Sequence, residues 1–188
     1  MNKDIRKLTF TVMFAAINFV AFTYGKISIP IAGGTNTAIH IANAIVVLSS
    51  WILGPIYGGL AGGIGLSIAD IFDPRYITSA PKTFIMKFLI AFIAGSIAQK
   101  MHLKEKDDKK EILKITLISS ICALAFNVIV DPIFGFLYKK YLLKLSIEAT
   151  SILMAWTVGV TFVNAIACVI ISVILYQGLH SSIRKIDL

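Results

Sequence analysis

The chain has 188 residues, 57% hydrophobic and 15% charged, with 18 Lys+Arg against 10 Asp+Glu for a formal charge of +8. An ordinary soluble domain carries about a quarter charged residues, so a soluble globule is excluded as the default. A bilayer crossing uses roughly 20 apolar residues. Six crossings would leave no room for a catalytic or nucleotide-binding domain of about 100 residues.

The amino terminus is basic, with Lys3, Arg6 and Lys7. The apolar run behind it outlasts the roughly 7–15-residue core of a secretory signal and lacks a small-x-small cleavage site. A retained first span is therefore expected at about 8–26, with Thr11, Ala15 and Ala16 as its small residues. A hydrophilic connection from Lys26 to Ala38 leads to a short second span at 39–53. Gly54-Pro55 then ends one helix and suits the first turn of the next, at 56–73. Gly54, Gly58 and Gly62 recur every four residues, as do Gly59 and Gly63. Such small-xxx-small faces let helices approach closely. Without a Gly-Lys-Ser/Thr ending this is no phosphate loop. The small residues have two competing uses: packing within the bundle, or a docking face for another membrane subunit built on Thr11, Ala15, Gly58 and Gly62.

Three further spans are expected at 83–100, 112–138 and 152–178, giving one all-α, six-helix membrane domain over 1–188. The loop Lys104 to Glu111 alternates in sign, which marks a solvated linker rather than a nucleic-acid surface. Cys122 and Cys168 lie in apolar runs, where a thiol acts as a small hydrophobe. With six spans both termini share a side. That side holds eleven Lys+Arg, Arg184 and Lys185 among them, against seven on the other. The positive-inside rule then places both termini in the cytoplasm. Most of the basic excess reports orientation.

Ionisable groups within spans are costly and are functional candidates by default. Counting amides, they are His40 and Asn43 in the second span, Asp70 in the third, Lys87 in the fourth, Asn127 and Asp131 in the fifth and Asn164 in the sixth. Lys87 lies five residues, roughly 8 Å, inward of Lys82, and Asp131 roughly 10 Å inside the end of its span. All of these fall in the outer half or near the midplane, which describes an outward-opening pocket rather than a continuous pore. Asn127 and Asp131, and His40 and Asn43, share helix faces by spacing. Trp156 lies beside the Thr157–Asn164 stripe, placed to stack on a flat ring. Asp70 and Asp131 have two readings, as structural partners of Lys87 or as ligand contacts. The asparagines have two as well, interhelical glue or ligand contacts. There is no His-Glu-x-x-His and no Gly-x-Ser-x-Gly, so neither catalytic residues nor a metal site is expected.

The stretch Ile39-His40-Ile41-Ala42-Asn43-Ala44, the block from Leu53-Gly54-Pro55 to Ala69-Asp70, and Pro81-Lys82-Thr83 to Lys87 together resemble the substrate-binding S components of energy-coupling factor (ECF) vitamin transporters. The resemblance implies a high-affinity vitamin-binding subunit of the bacterial plasma membrane with no cofactor of its own. It also implies a transmembrane scaffold subunit and two cytoplasmic ATPases as partners, the latter using the ATP. Within that family the resemblance in style is to subunits for pyridoxine or hydroxymethylpyrimidine. The alternative is a self-sufficient transporter of a small polar solute, with Asp131 or Asp70 as its proton-coupling group.

Overall fold

The computed structural model describes residues 3–31 and 35–183; Arg184 and Lys185 of the charge count lie outside them. It is a predominantly helical bundle. Helix α1 (Lys3–Tyr24) is followed by strands β1 (Lys26–Ile31) and β2 (Thr35–His40). Then come α2 (Ala42–Leu53), α3 (Pro55–Ile71), α4 (Ala80–Lys100), α5 (Lys109–Leu137), extended by a π turn at Tyr138–Leu142, and α6 (Ile147–Ile183).

The hairpin is an addition to the expected all-α plan. Lys26-Ile27-Ser28-Ile29 alternates polar and apolar residues, the period of a strand with one covered face, and Thr35, Thr37 and Ile39 supply β-branched partners. The register runs antiparallel from Lys26↔His40 to Ile31↔Thr35. Pro30 is tolerated because both strands of a two-stranded sheet are edges. Pairing carries the extended chain through Ile39 and His40, so α2 starts at Ala42 rather than at 39. Four segments are long and apolar enough to cross a membrane: Asp4–Tyr24, Ile77–Lys100, Lys109–Leu142 and Ile147–Ile183. Helices α2 and α3, with 12 and 17 residues, reach only about 18 and 26 Å at 1.5 Å per residue, less than the roughly 30 Å hydrocarbon core. The six expected helices are therefore four long ones and a short helical hairpin, α2 being short as its 39–53 segment suggested.

Helix α2 is apolar all round and buried at every residue except Ile45, the pattern of a core helix. It packs on α1, α3, α4 and α6. Glycines bring α3 against it. A Cβ on Gly58 would collide with the backbone of Ser50, and one on Gly62 would lie 2.8 Å from Val46 Cγ1. On the other side a Cβ on Gly65 would strike the carbonyl of Ala15, and Thr11, only 4% exposed, donates its hydroxyl to the Lys7 carbonyl at 2.7 Å. Thr11, Gly58 and Gly62 are buried against the chain's own helices, with Ala15 half-buried beside them, which is the packing use of these small residues. Small residues permit close approach to whichever apolar neighbour arrives, and within this fold α1 and α2 arrive first.

Candidate functional site

The bundle has two ends. One carries the α2–α3 turn and the α4–α5 loop; the other carries the hairpin and the α3–α4 loop. At the hairpin end a cavity of about 110 Å³ lies between β2 and helices α2 to α6. His40 enters from β2, Asn43 from the first turn of α2, Asp70 from the last turn of α3, and Lys82, Thr83 and Lys87 from α4. Asn127 and Asp131 come from α5, and Thr157, Thr161 and Asn164 from α6.

Seven of the eight residues singled out in the sequence meet at this cavity, and Trp156 does not. It is 53% exposed, on the outer face of α6 beside Gly159 and Val163. It is one residue, about 100° of helical turn, from the inward-facing Thr157, and that rotation points it away from the ring-stacking position expected of it.

Pairing with Lys87, one of the two readings for Asp70 and Asp131, is not found among the described residues. Lys82 Nζ lies 3.0 Å from Asp131 Oδ1, and Asp70 accepts from the Thr83 hydroxyl through Oδ2. Lys87, 8% exposed, has no carboxylate oxygen within 4 Å among the described residues. Lys82 starts α4 at the level where α5 presents Asp131, and Lys87 lies about one and a half turns deeper. Asn164 acts as glue: Oδ1 accepts from the His40 backbone N–H at 3.1 Å, and Nδ2 donates to the Ala38 carbonyl at 3.0 Å. It fastens β2 to α6.

Buried polar atoms without partners cost free energy and call for explanation. Four of them belong to residues that line this cavity: His40 Nδ1, Asn43 Oδ1, Asp70 Oδ1 and Asn127 Oδ1. A larger cleft of about 410 Å³ at the other end, floored by Trp51, Leu53 and Leu103, contains none of the partnerless atoms identified among the described residues. Size favours that cleft, but polar complementarity favours the smaller cavity, and recognition of a polar solute depends on convergent polar groups.

The rim is held by contacts the sequence reading did not foresee. Tyr76 Oη donates to the Thr37 carbonyl and contacts Ser28 Oγ, both at 3.1 Å. Lys26 Nζ sits 2.7 Å from Asp73 Oδ2 and over the rings of Phe22 and Tyr76. Arg75 donates to both oxygens of Asp73 at 2.9 and 2.8 Å. The Arg75 guanidinium, joined by Lys26, holds the Asp73 carboxyl well below the usual carboxylate range. Lys82, Lys139 and Tyr76 are among the cavity residues that were missed. Pro81 conceals the first, because a proline in a helix's first turn reads in sequence as a loop.

An apolar helical bundle with one buried polar cavity is the build of a membrane-embedded binding protein. A family model described as "ECF-type riboflavin transporter, S component" matches residues 2–181. The chain belongs to this family, whose members are substrate-binding transporter subunits rather than enzymes. Among solved structures the fold is similar to one titled "Structure and mechanism of the S component of a bacterial ECF transporter". The TM-score is 0.59 at 18% identity, over 97% of this chain and 99% of that one, a likeness of fold alone. No curated protein matches the sequence.

Proposed function

We propose that this chain is the vitamin-capture subunit of an ECF importer, holding its solute in the hairpin-end cavity. The observation that carries the reading is the convergence on one cavity of residues with four partnerless buried polar atoms, three of them carbonyl or carboxylate oxygens, and of a buried lysine with no ion-pair partner among the described residues. The membership of the chain in the S-component family supplies the biological frame. The proposal includes helices α1 to α6 threading the bacterial plasma membrane with both termini cytoplasmic, so that the cavity opens outward. It also includes a scaffold subunit and two ATPases as partners, with ATP used by the latter.

Cavity size favours a small solute. A cavity of about 110 Å³ is small, which favours a one-ring vitamin or precursor such as pyridoxine or hydroxymethylpyrimidine over a larger ligand. The family description favours a second reading, riboflavin, whose fused rings and polyol chain require the hairpin to stand further from α6. The test is mass spectrometry of small molecules released from the purified chain, followed by titration with these three compounds. A retained one-ring vitamin is the expected result. Yellow protein carrying riboflavin would establish the second reading, and protein that binds none of the B-group vitamins would sink the capture function.

A further inference from the structure

Lys87 is a buried cation of the cavity with no carboxylate oxygen in contact among the described residues; Lys139, which also lines the cavity, is only half-buried. The nearest acidic neighbours of Lys87 are engaged elsewhere: Asp131 is held by Lys82 at 3.0 Å, and one oxygen of Asp70 takes the Thr83 hydroxyl. Lys87 is only 8% exposed, and on α4 it lies about one and a half turns deeper than Lys82. A buried ammonium inside an apolar bundle is costly unless an anion or several acceptors meet it. Around the same cavity Asn43 Oδ1, Asn127 Oδ1 and Asp70 Oδ1 are acceptors that lack donors. The lining is therefore complementary to a solute with one anionic oxygen and several N–H or O–H groups. An uncharged ring would leave Lys87 unmatched.

We infer that Lys87 is the specificity residue of the cavity, reading an ionised oxygen on a small hydroxylated heterocycle while Asn43, Asn127 and Asp70 receive that heterocycle's hydrogen-bond donors. The inference rests on the capture function proposed above and narrows its substrate class. A charge-assisted hydrogen bond is both shorter and stronger than a neutral one, so ionisation of the ligand oxygen discriminates between otherwise similar rings.

The experiment titrates the full chain in lipid nanodiscs with pyridoxine, a zwitterion at neutral pH whose ring hydroxyl is ionised and ring nitrogen protonated, and with its ring O-methyl ether, which carries neither charge there. Hydroxymethylpyrimidine and riboflavin serve as uncharged comparators without an ionised oxygen. The unmodified protein is expected to prefer pyridoxine over the ether by roughly 10- to 100-fold, the range for a hydrogen bond to a charged group. In Lys87→Met that preference should vanish, while Lys87→Arg should keep part of it. The ether probes the contact from the ligand side, so the answer does not depend on how well a variant folds. Equal binding of pyridoxine and ether by the unmodified protein overturns the inference, as does an undiminished preference in Lys87→Met. Binding of only the uncharged compounds overturns it too, leaving vitamin capture standing. Failure to bind any of the four removes the capture function and this inference together.

Discussion

Asp131 shows how far depth arithmetic carries a site reading at the scale of the residue. Counting residues from span ends placed it, Asp70, Lys87 and the asparagines at one level, and the structure gathers them around one cavity. Which acid meets which base was not legible, because partners on different helices depend on helix rotation and on where α4 begins. With the fourth span drawn from 83, Lys82 falls in a loop; the helix in fact starts at Ala80, and Lys82 becomes the partner of Asp131. Both side chains are largely buried, at 13% and 15% exposure. Asp131→Asn should therefore cost about 1–3 kcal/mol, through a lysine left without its carboxylate. The double change Lys82→Met with Asp131→Leu should recover most of that, since apolar residues can replace a buried pair; thermal unfolding in detergent compares the three. Trp156→Ala should alter ligand affinity by less than about 0.5 kcal/mol, as for exposed sites generally. A larger loss in calorimetric titration would return Trp156 to the site.

At the scale of the element, glycine spacing is visible in sequence but its direction is not. The four-residue recurrence in α3 announces a close contact; only the fold shows that α2 supplies it. Gly58→Ala should destabilise by about 1–3 kcal/mol, because the new methyl meets the Ser50 backbone, which cannot rotate away. Gly159→Ala on α6 has nothing within 4 Å and should stabilise by about 0.5–1 kcal/mol through helix propensity. Unfolding midpoints of opposite sign are the expected result. The hairpin was legible in principle, from alternation after Lys26 and two glycines before Thr35, but hydropathy over long windows averages such short patterns away. Its fastening to the α3–α4 loop through Asp73 sets a pH dependence. Asp73 titrates lower in the folded protein than the roughly 3.9 of a free side chain. Its contribution is therefore present above about pH 4 and lost as pH falls further, through the folded value. The stability difference between wild type and Asp73→Asn should shrink as pH is lowered from 5 toward 3, and a constant difference would contradict this account.

For the whole molecule, composition and length sufficed to find a membrane bundle without a soluble domain, because bilayer thickness imposes element lengths irrespective of detail. The shortness of the second helix was already legible, but not its start at Ala42, because pairing in the hairpin recruits Ile39 and His40. If capture and energy input are divided between chains, liposomes containing this protein alone should bind solute without accumulating it, with or without a proton gradient. Radiolabelled uptake measures this directly, and gradient-driven accumulation would support instead the self-sufficient transporter with Asp70 or Asp131 as its coupling group.

The enclosure of α2 has a mechanical consequence. This helix is packed on four others and carries Asn43 at its first turn, so the floor of the cavity belongs to the least deformable part of the molecule. The wall opposite is a two-stranded ribbon, and ribbons of that size are marginal without outside support. Here the support is a few side-chain contacts from Asn164, Tyr76 and Lys26. Under the proposed capture function, accommodation of solutes of different shape falls to the ribbon, while Asn43 on α2 stays fixed.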